Sequence, residues 1–284
     1  MSQPQSSPSA VARAAAGSPA VRYFIRDDDV GELTEALKTF VTAFLSRGMP
    51  VSYQIIPARL SADCARYLLD LERDHPTLIE FGQHGLHHAM MLRGKRLKRE
   101  FGPERSLEDQ SADIREGLEL LRQRLGAERE ISLFTPPQHK FDRNTVTAAA
   151  RAGHRVFSAA YYPTPHHQLA YALGRGLRLS SLAHHGISYH GGLRPEAPMR
   201  EISIAVAVDD GRRIRCPADR LATAMAAAAA RSDLVGLMFH HAVYDSDEGR
   251  AALAAIVERL GEYPAGDFHR LGDLARSDAD DGAS

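Results

Sequence analysis

The sequence predicts a single-domain α/β fold built on a mainly parallel sheet, and three observations carry that prediction. Apolar segments of strand length alternate with amphipathic segments of helical period through most of the chain. Three of the segments read as strands end in clusters of Asp or His, the position where parallel α/β folds gather functional groups. The 284 residues, 44% hydrophobic and 25% charged, suffice to bury one large core.

Residues 1–20 are rich in Ser, Pro, Gln and Ala without apolar periodicity, and are expected to form a disordered leader. A domain follows over 21–274. It opens with a strand at 21–26 and a helix at 32–47, with Leu33, Leu37, Phe40, Val41 and Phe44 at helical spacing. Gly48 ends that helix. A strand at 50–57, a helix at 61–74 stopped by His75 and Pro76, and a strand at 77–82 come next. A polar stretch covers 83–105. Ser106, with Asp109 three residues on, then resembles a capping box for a helix reaching Leu125.

A strand at 131–134, a helix at 142–152 and a strand at 154–159 continue the alternation, which predicts a sheet either closed into a barrel or open. Residues 160–199 break the rhythm with prolines, glycines and paired histidines, and read as an irregular insertion. Strands at 201–210, 233–240 and 267–271 and helices at 218–231 and 247–261 complete the domain, before an acidic tail at 275–284.

Composition excludes several classes. Lys+Arg 35 against Asp+Glu 36 leaves a formal net charge of −1, without the positive field that nucleic-acid binding requires. Cys64 and Cys216 form no CxxC pair, so neither a disulfide scaffold nor a thiolate zinc site is indicated. The apolar run Leu221 to Ala230 falls far short of the ~18 residues a membrane span needs. The N-terminus lacks the charged and apolar regions of a secretory signal, so the expected location is cytoplasmic.

Of 14 histidines, 12 lie between His84 and His241. Asp27-Asp28-Asp29, then His84 with His87-His88, then His240-His241 each follow a strand. An Asp with two neutral imidazoles is a facial ligand set that leaves positions open for water, suited to Zn²⁺ or to Co, Mn, Ni or Fe(II). Each cluster alone has a plain alternative: acidic triplets cap turns, and two histidines four apart occur by chance. His166-His167, His184-His185 and His190 share the insertion with Tyr161, Tyr162, Tyr171 and Tyr189, flat side chains able either to grip a sugar ring or to pack the loop on itself.

In order and form these motifs resemble the NodB-type polysaccharide deacetylases of carbohydrate esterase family 4. RDDD at 26–29 stands where that family has T-F-D-D, GQHGLHH at 82–88 where it has G-N-H-[ST]-x-x-H, FTPPQH at 134–139 where it has F-R-P-P-[YF]-G, and LMFH at 237–240 matches a late strand ending in His. The resemblance implies a deformed (β/α) barrel and a divalent metal, Zn first, held by Asp29, His84 and His88. It makes Asp28 the general base and His240 the general acid, and places Pro137, Gln138 and His139 at the substrate and oxyanion position. A slip of one residue in the acidic run, with Asp27 as base and Asp28 as ligand, stays open. The family's third-motif Arg falls on Thr135, and its aromatic and glycine on Gln138 and His139, which marks a divergent branch. Arg26 is a candidate to replace the lost Arg, and His241 and Asp245 are candidates to orient His240.

The implied activity is metal-dependent removal of an N-acyl or O-acyl group from a saccharide or sugar-containing metabolite. The alternatives are an amidohydrolase of cyclic imides, ureides or formamides, and a non-catalytic carbohydrate-binding relative. Oligomeric state is not legible in the sequence.

Overall fold

Strand β1 (Arg22–Val30) is buried from Tyr23 through Asp28, as a strand must be when it pairs on both sides in the middle of a parallel sheet. The structure is a computed structural model that describes residues 20–92, 95–97, 99–161, 173 and 188–280. All but the last residue of the expected leader lies outside that range, as do His166, His167, His184, His185, Tyr162 and Tyr171 of the insertion.

The remaining strands are β2 (Val51–Ile55), β3 (Ile79–His84), β4 (Met90–Leu92), β5 (Lys95–Leu97), β6 (Leu133–Thr135), β7 (Val156–Phe157), β8 (Arg200–Glu201), β9 (Ile204–Ala207) and β10 (Leu234–Phe239). β4 and β5 form a separate antiparallel hairpin inside the stretch that reads as merely polar in the sequence. The others make one parallel sheet in the order β8-β7-β6-β3-β2-β1-β10-β9. Its two edges meet: Ala160, just past β7, bridges to Ile204 of β9, so residues 200–207 join β7 to β10 and the sheet curls into a deformed (β/α) barrel. The expected continuous strand at 201–210 is therefore two short strands, because the chain bends there to close the barrel.

Seven helices flank the sheet among the described residues: α1 (Glu35–Leu45), α2 (Ala62–Asp74), α3 (Leu107–Leu125), α4 (Arg143–Arg151), α5 (Ala218–Ala229), α6 (Asp247–Leu260) and α7 (Leu271–Asp280). Thr34, Ser61, Ser106, Asp142 and Ser246 cap five of them by accepting a backbone N–H two or three positions inside the helix. The strand expected at 267–271 is absent. Phe268 makes one parallel bridge to Tyr23, and α7 begins at Leu271, where Leu271 and Leu274 are buried at helical spacing. Part of the expected acidic tail is thus helix.

Two packing features fix the end of the barrel that carries chemistry. Phe40 and Phe44 of α1 sit 5.5 and 5.3 Å from the Phe239 ring, clamping the end of β10 just before His240. Phe24 lies across Gly236, its register partner, so closely that a Cβ there would fall 2.1 Å from the ring. Only glycine fits that position.

Candidate active site

Successive side chains on a strand point to opposite faces, yet Asp28 and Asp29 reach the same end of the barrel. A bulge makes this possible. Asp27 pairs with Tyr53 and Val30 with Ile55, so β1 carries one extra residue between those pairs, and Asp29 adopts φ 67°. The re-aimed Asp29 Oδ1 lies 3.2 Å from His84 Nε2 and 3.0 Å from His88 Nε2. Atoms sharing one cation at about 2.0–2.1 Å must sit roughly 3.0–3.4 Å apart, so the spacing fits a common metal.

Protonation agrees. His84 Nδ1 lies 3.1 Å from the carbonyl oxygen of Thr135, which can only accept, so the ring proton sits on Nδ1 and a lone pair on Nε2 faces Asp29. Asp29 Oδ1 is buried and receives no hydrogen bond. In the neutral His84 ring that lone pair faces the Asp29 carboxylate, a repulsion that a cation between them would relieve. The 86–88 turn that presents His88 is held by Glu100, whose buried carboxylate accepts the backbone N–H groups of Leu86, His87 and His88. Sequence reasoning missed Glu100; it stands in the polar stretch without a motif.

Asp28 does not share the cation position. Its carboxylate is gripped by Arg26 through two parallel bonds, Nε to Oδ1 at 2.8 Å and Nη2 to Oδ2 at 2.9 Å. Arg26 is itself fully buried and donates through Nη1 to Ser158 O and Oγ. Burial alone would raise the Asp28 pKa, but the Arg26 charge, aided by His84 and His240, holds it below the usual carboxylate value. Arg26, the sequence candidate for the Arg absent at Thr135, thus supplies a guanidinium to Asp28 from β1. Arg26→Met is expected to leave a buried carboxylate unpaired and to lower stability by about 3–5 kcal/mol, read by chemical denaturation.

His240 donates from Nδ1 to Asp209 Oδ1 at 2.6 Å, and Asp209 Oδ2 accepts both the His240 backbone N–H and the Tyr244 hydroxyl. Asp209 corrects the expectation for Asp245 and His241. Asp245 is exposed at the end of a turn, and His241 instead donates to Asp27, at 2.9 Å through Nδ1. That pairing commits Asp27 to His241 rather than to the base position that the one-residue slip would give it. Asp209 stood inside a segment read as strand; its signal was that it, too, follows a strand. Burial lowers the His240 pKa, but the Asp209 hydrogen bond and the charges of Asp28 and Asp209 raise it to about 9.

Asp28, Asp29, His84, His88, Asp209 and His240 line one cavity of about 700 Å³ at the carboxyl ends of the strands, with Gln138, His139 and Tyr161 also on its wall. Gln138 and His139 have φ 51° and 57°, a left-handed turn that ordinarily favours glycine. The Gln138 amide lies against the His88 ring. His139 is kept neutral, its pKa lowered to about 3 by burial and the Arg26 charge, and its buried Nδ1 has no partner among the described residues. Pro137 is buried beneath Gly85, has no N–H, and so cannot serve as an oxyanion donor.

The fold is similar to the barrel of the NodB-type deacetylases of carbohydrate esterase family 4, with a candidate Asp-His-His centre at its strand ends. Among solved structures, a Mycobacterium smegmatis protein carrying a polysaccharide-deacetylase name superposes with a TM-score of 0.63 at 12% identity, over 91% of each chain. A family 4 acetyl xylan esterase from Clostridium thermocellum, solved with a cobalt ion, gives 0.53 at 12% identity over 89% of each chain. A Streptomyces lividans family 4 carbohydrate esterase, solved with acetate, gives 0.50 at 11% identity, covering 88% of this chain and 91% of that one. At such identities the likeness is one of fold. No protein-family model and no curated protein matches the chain at the level of sequence. No helix among the described residues is long and apolar enough to cross a membrane.

Proposed function

We propose that this protein is a metal-dependent hydrolase that removes an acyl group, most simply acetyl, from nitrogen or oxygen on a saccharide or sugar-containing metabolite. The observation that carries the reading is the convergence of ligand atoms of Asp29, His84 and His88 with an ionised Asp28 and a cationic His240 on one cavity. A divalent cation held by those three residues supplies Lewis acidity, polarising an acyl carbonyl and acidifying water. Zinc suits the donor set best, with cobalt as a close substitute.

The residues divide the proton transfers. Asp28, fixed by Arg26, accepts a proton from the attacking water, whose oxygen bonds to the acyl carbon. The backbone N–H of Gln138 is the position for a donor to the developing oxyanion. His240, steadied through Nδ1 by Asp209, gives the Nε2 proton to the departing amine or alcohol as the acyl bond breaks. Gln138 and His139 replace the family's aromatic and glycine on the wall, which favours a second reading in which the substrate is a compact cyclic imide or ureide.

The test is a metal-replete screen for acetate release from N- and O-acetylated saccharides, with cyclic ureides in parallel. Chelator-sensitive acetate release is the expected result; ureide turnover alone transfers the site to the second reading. A purified protein that retains no divalent metal and hydrolyses nothing is instead a carbohydrate-binding relative. Asp209→Asn is expected to slow turnover by roughly 10²-fold, the lower end of the range for a displaced acid–base group. It also lets His240 deprotonate at lower pH, so the alkaline limb of the pH–rate profile moves toward neutrality. The cation's charge opposes protonation of His240, placing the wild-type limb below about 9. An unmoved limb would show that Asp209 does not act through His240.

A further inference from the structure

The charged groups on the cavity wall do not all have counterparts. Asp28 is met by Arg26, Asp29 by His84 and His88 and the cation they suit, and Asp209 by His240. Asp210 is bound by Arg215 at 2.5 Å. Two guanidinium groups are left. Among the described residues, the side chain of Arg59, after β2, reaches only a carbonyl oxygen, that of His87, at the limiting distance of 3.5 Å. Arg212, after β9, makes no side-chain hydrogen bond or ion pair among the described residues; only its backbone N–H is used, by Asp210. Both line the same cavity as the metal centre.

Their placement has chemical direction. Arg59 packs beside Gly31, just past the Asp29 bulge, and Arg212 follows Gly211, which lies against the His240 ring. His240 faces the leaving group, and in a deacylation the leaving group is the saccharide rather than the acyl fragment. Arg212, one residue past the glycine beside that ring, therefore stands on the side of the cavity where the part of the substrate retained as product leaves. Guanidinium forks match carboxylate and phosphate oxygens, and both arginines are exposed on the cavity wall, where an entering anion can reach them.

We propose that Arg59 and Arg212 form an anion subsite, so that the substrate carries a carboxylate or phosphate on its saccharide portion. The inference rests on the deacylase reading for its orientation. It is tested by calorimetric titration of the metal-loaded protein with N-acetylglucosamine, N-acetylglucosamine 6-phosphate and N-acetylmuramic acid, the last two separating phosphate from carboxylate. Repeating the titrations after chelation keeps direct binding of phosphate to the cation from being mistaken for the subsite.

At least one charged sugar is expected to bind about tenfold or more tightly than the neutral one, a difference of about 1.4 kcal/mol. That preference should weaken as salt is raised. It should vanish in the Arg59→Ala/Arg212→Ala double variant and survive in part with Lys at both positions. Equal binding of all three sugars, binding of none, or a preference that persists without the arginines overturns the proposal. Acetate release is read separately. Release from neutral sugars without charge preference defeats the subsite alone, whereas a charge preference without acetate release from any sugar defeats the deacylase reading alone.

Discussion

Asp28→Asn is expected to leave the cation bound and to cut turnover by roughly 10²–10⁴-fold, the range for loss of a positioned general base. The carboxylate is nearly isosteric with the amide, so the cavity keeps its shape and the Asp29-His84-His88 set is untouched. What disappears is the proton acceptor. Arg26 helps hold Asp28 ionised, since its charge together with those of the neighbouring histidines outweighs the desolvation that would otherwise favour the protonated acid. The amide also presents one N–H toward the Arg26 fork, so thermal unfolding should accompany the kinetics to show that the variant is folded. Metal content by elemental analysis and turnover by acetate release together decide the matter. Full activity with metal retained rejects Asp28 as the base, and loss of the metal would move Asp28 into the ligand set.

His84→Ala and His88→Ala are expected to produce the reverse pattern, with the cation lost and activity lost along with it. Even residues that only support metal ligands account for about 10–100-fold in affinity, so removal of a ligand itself should exceed that. His84 is the more revealing of the pair. Its Nδ1 is committed to the Thr135 carbonyl and its ring is buried, so its Nε2 has no competing use. Wild-type protein should gain thermal stability on addition of Zn²⁺, and both variants should lose that gain because the folded state no longer binds the ion selectively. Undiminished metal occupancy in either variant would exclude that histidine as a ligand.

Much of the fold was legible in the sequence because its signals are local. The α1 stripe of Leu37, Phe40, Val41 and Phe44 and the Ser106 cap of α3 depend only on neighbours within a turn or two. The misreadings share one cause. Residues 267–271 read as a short strand in the sequence, yet only Phe268 finds a strand to bridge, and the Leu271–Leu274 spacing wins as a helix. The segment 201–210 divides because barrel closure makes its first half pair with β7 and its second with β10.

The site followed the same rule. Motif order alone brought Asp28, Asp29, His84, His88 and His240 to attention, since groups that end parallel strands share one face. Their partners were not visible. Asp245 stood near His240 in the sequence as its candidate partner, and only the structure shows that Asp209 reaches the imidazole across 31 residues of sequence while Asp245 faces solvent.

By itself, then, the sequence determined the alternation of strands and helices and the set of acids and imidazoles placed at strand ends, because periodicity and strand termini are properties of short stretches of chain. The tertiary structure decided which aspartate serves which partner. One inserted residue in β1 turns Asp29 toward the two histidines, leaves Asp28 to Arg26 and gives Asp27 to His241. Side-chain direction within a run of identical residues depends on the register of the neighbouring strand, and that register is set by packing from distant parts of the chain.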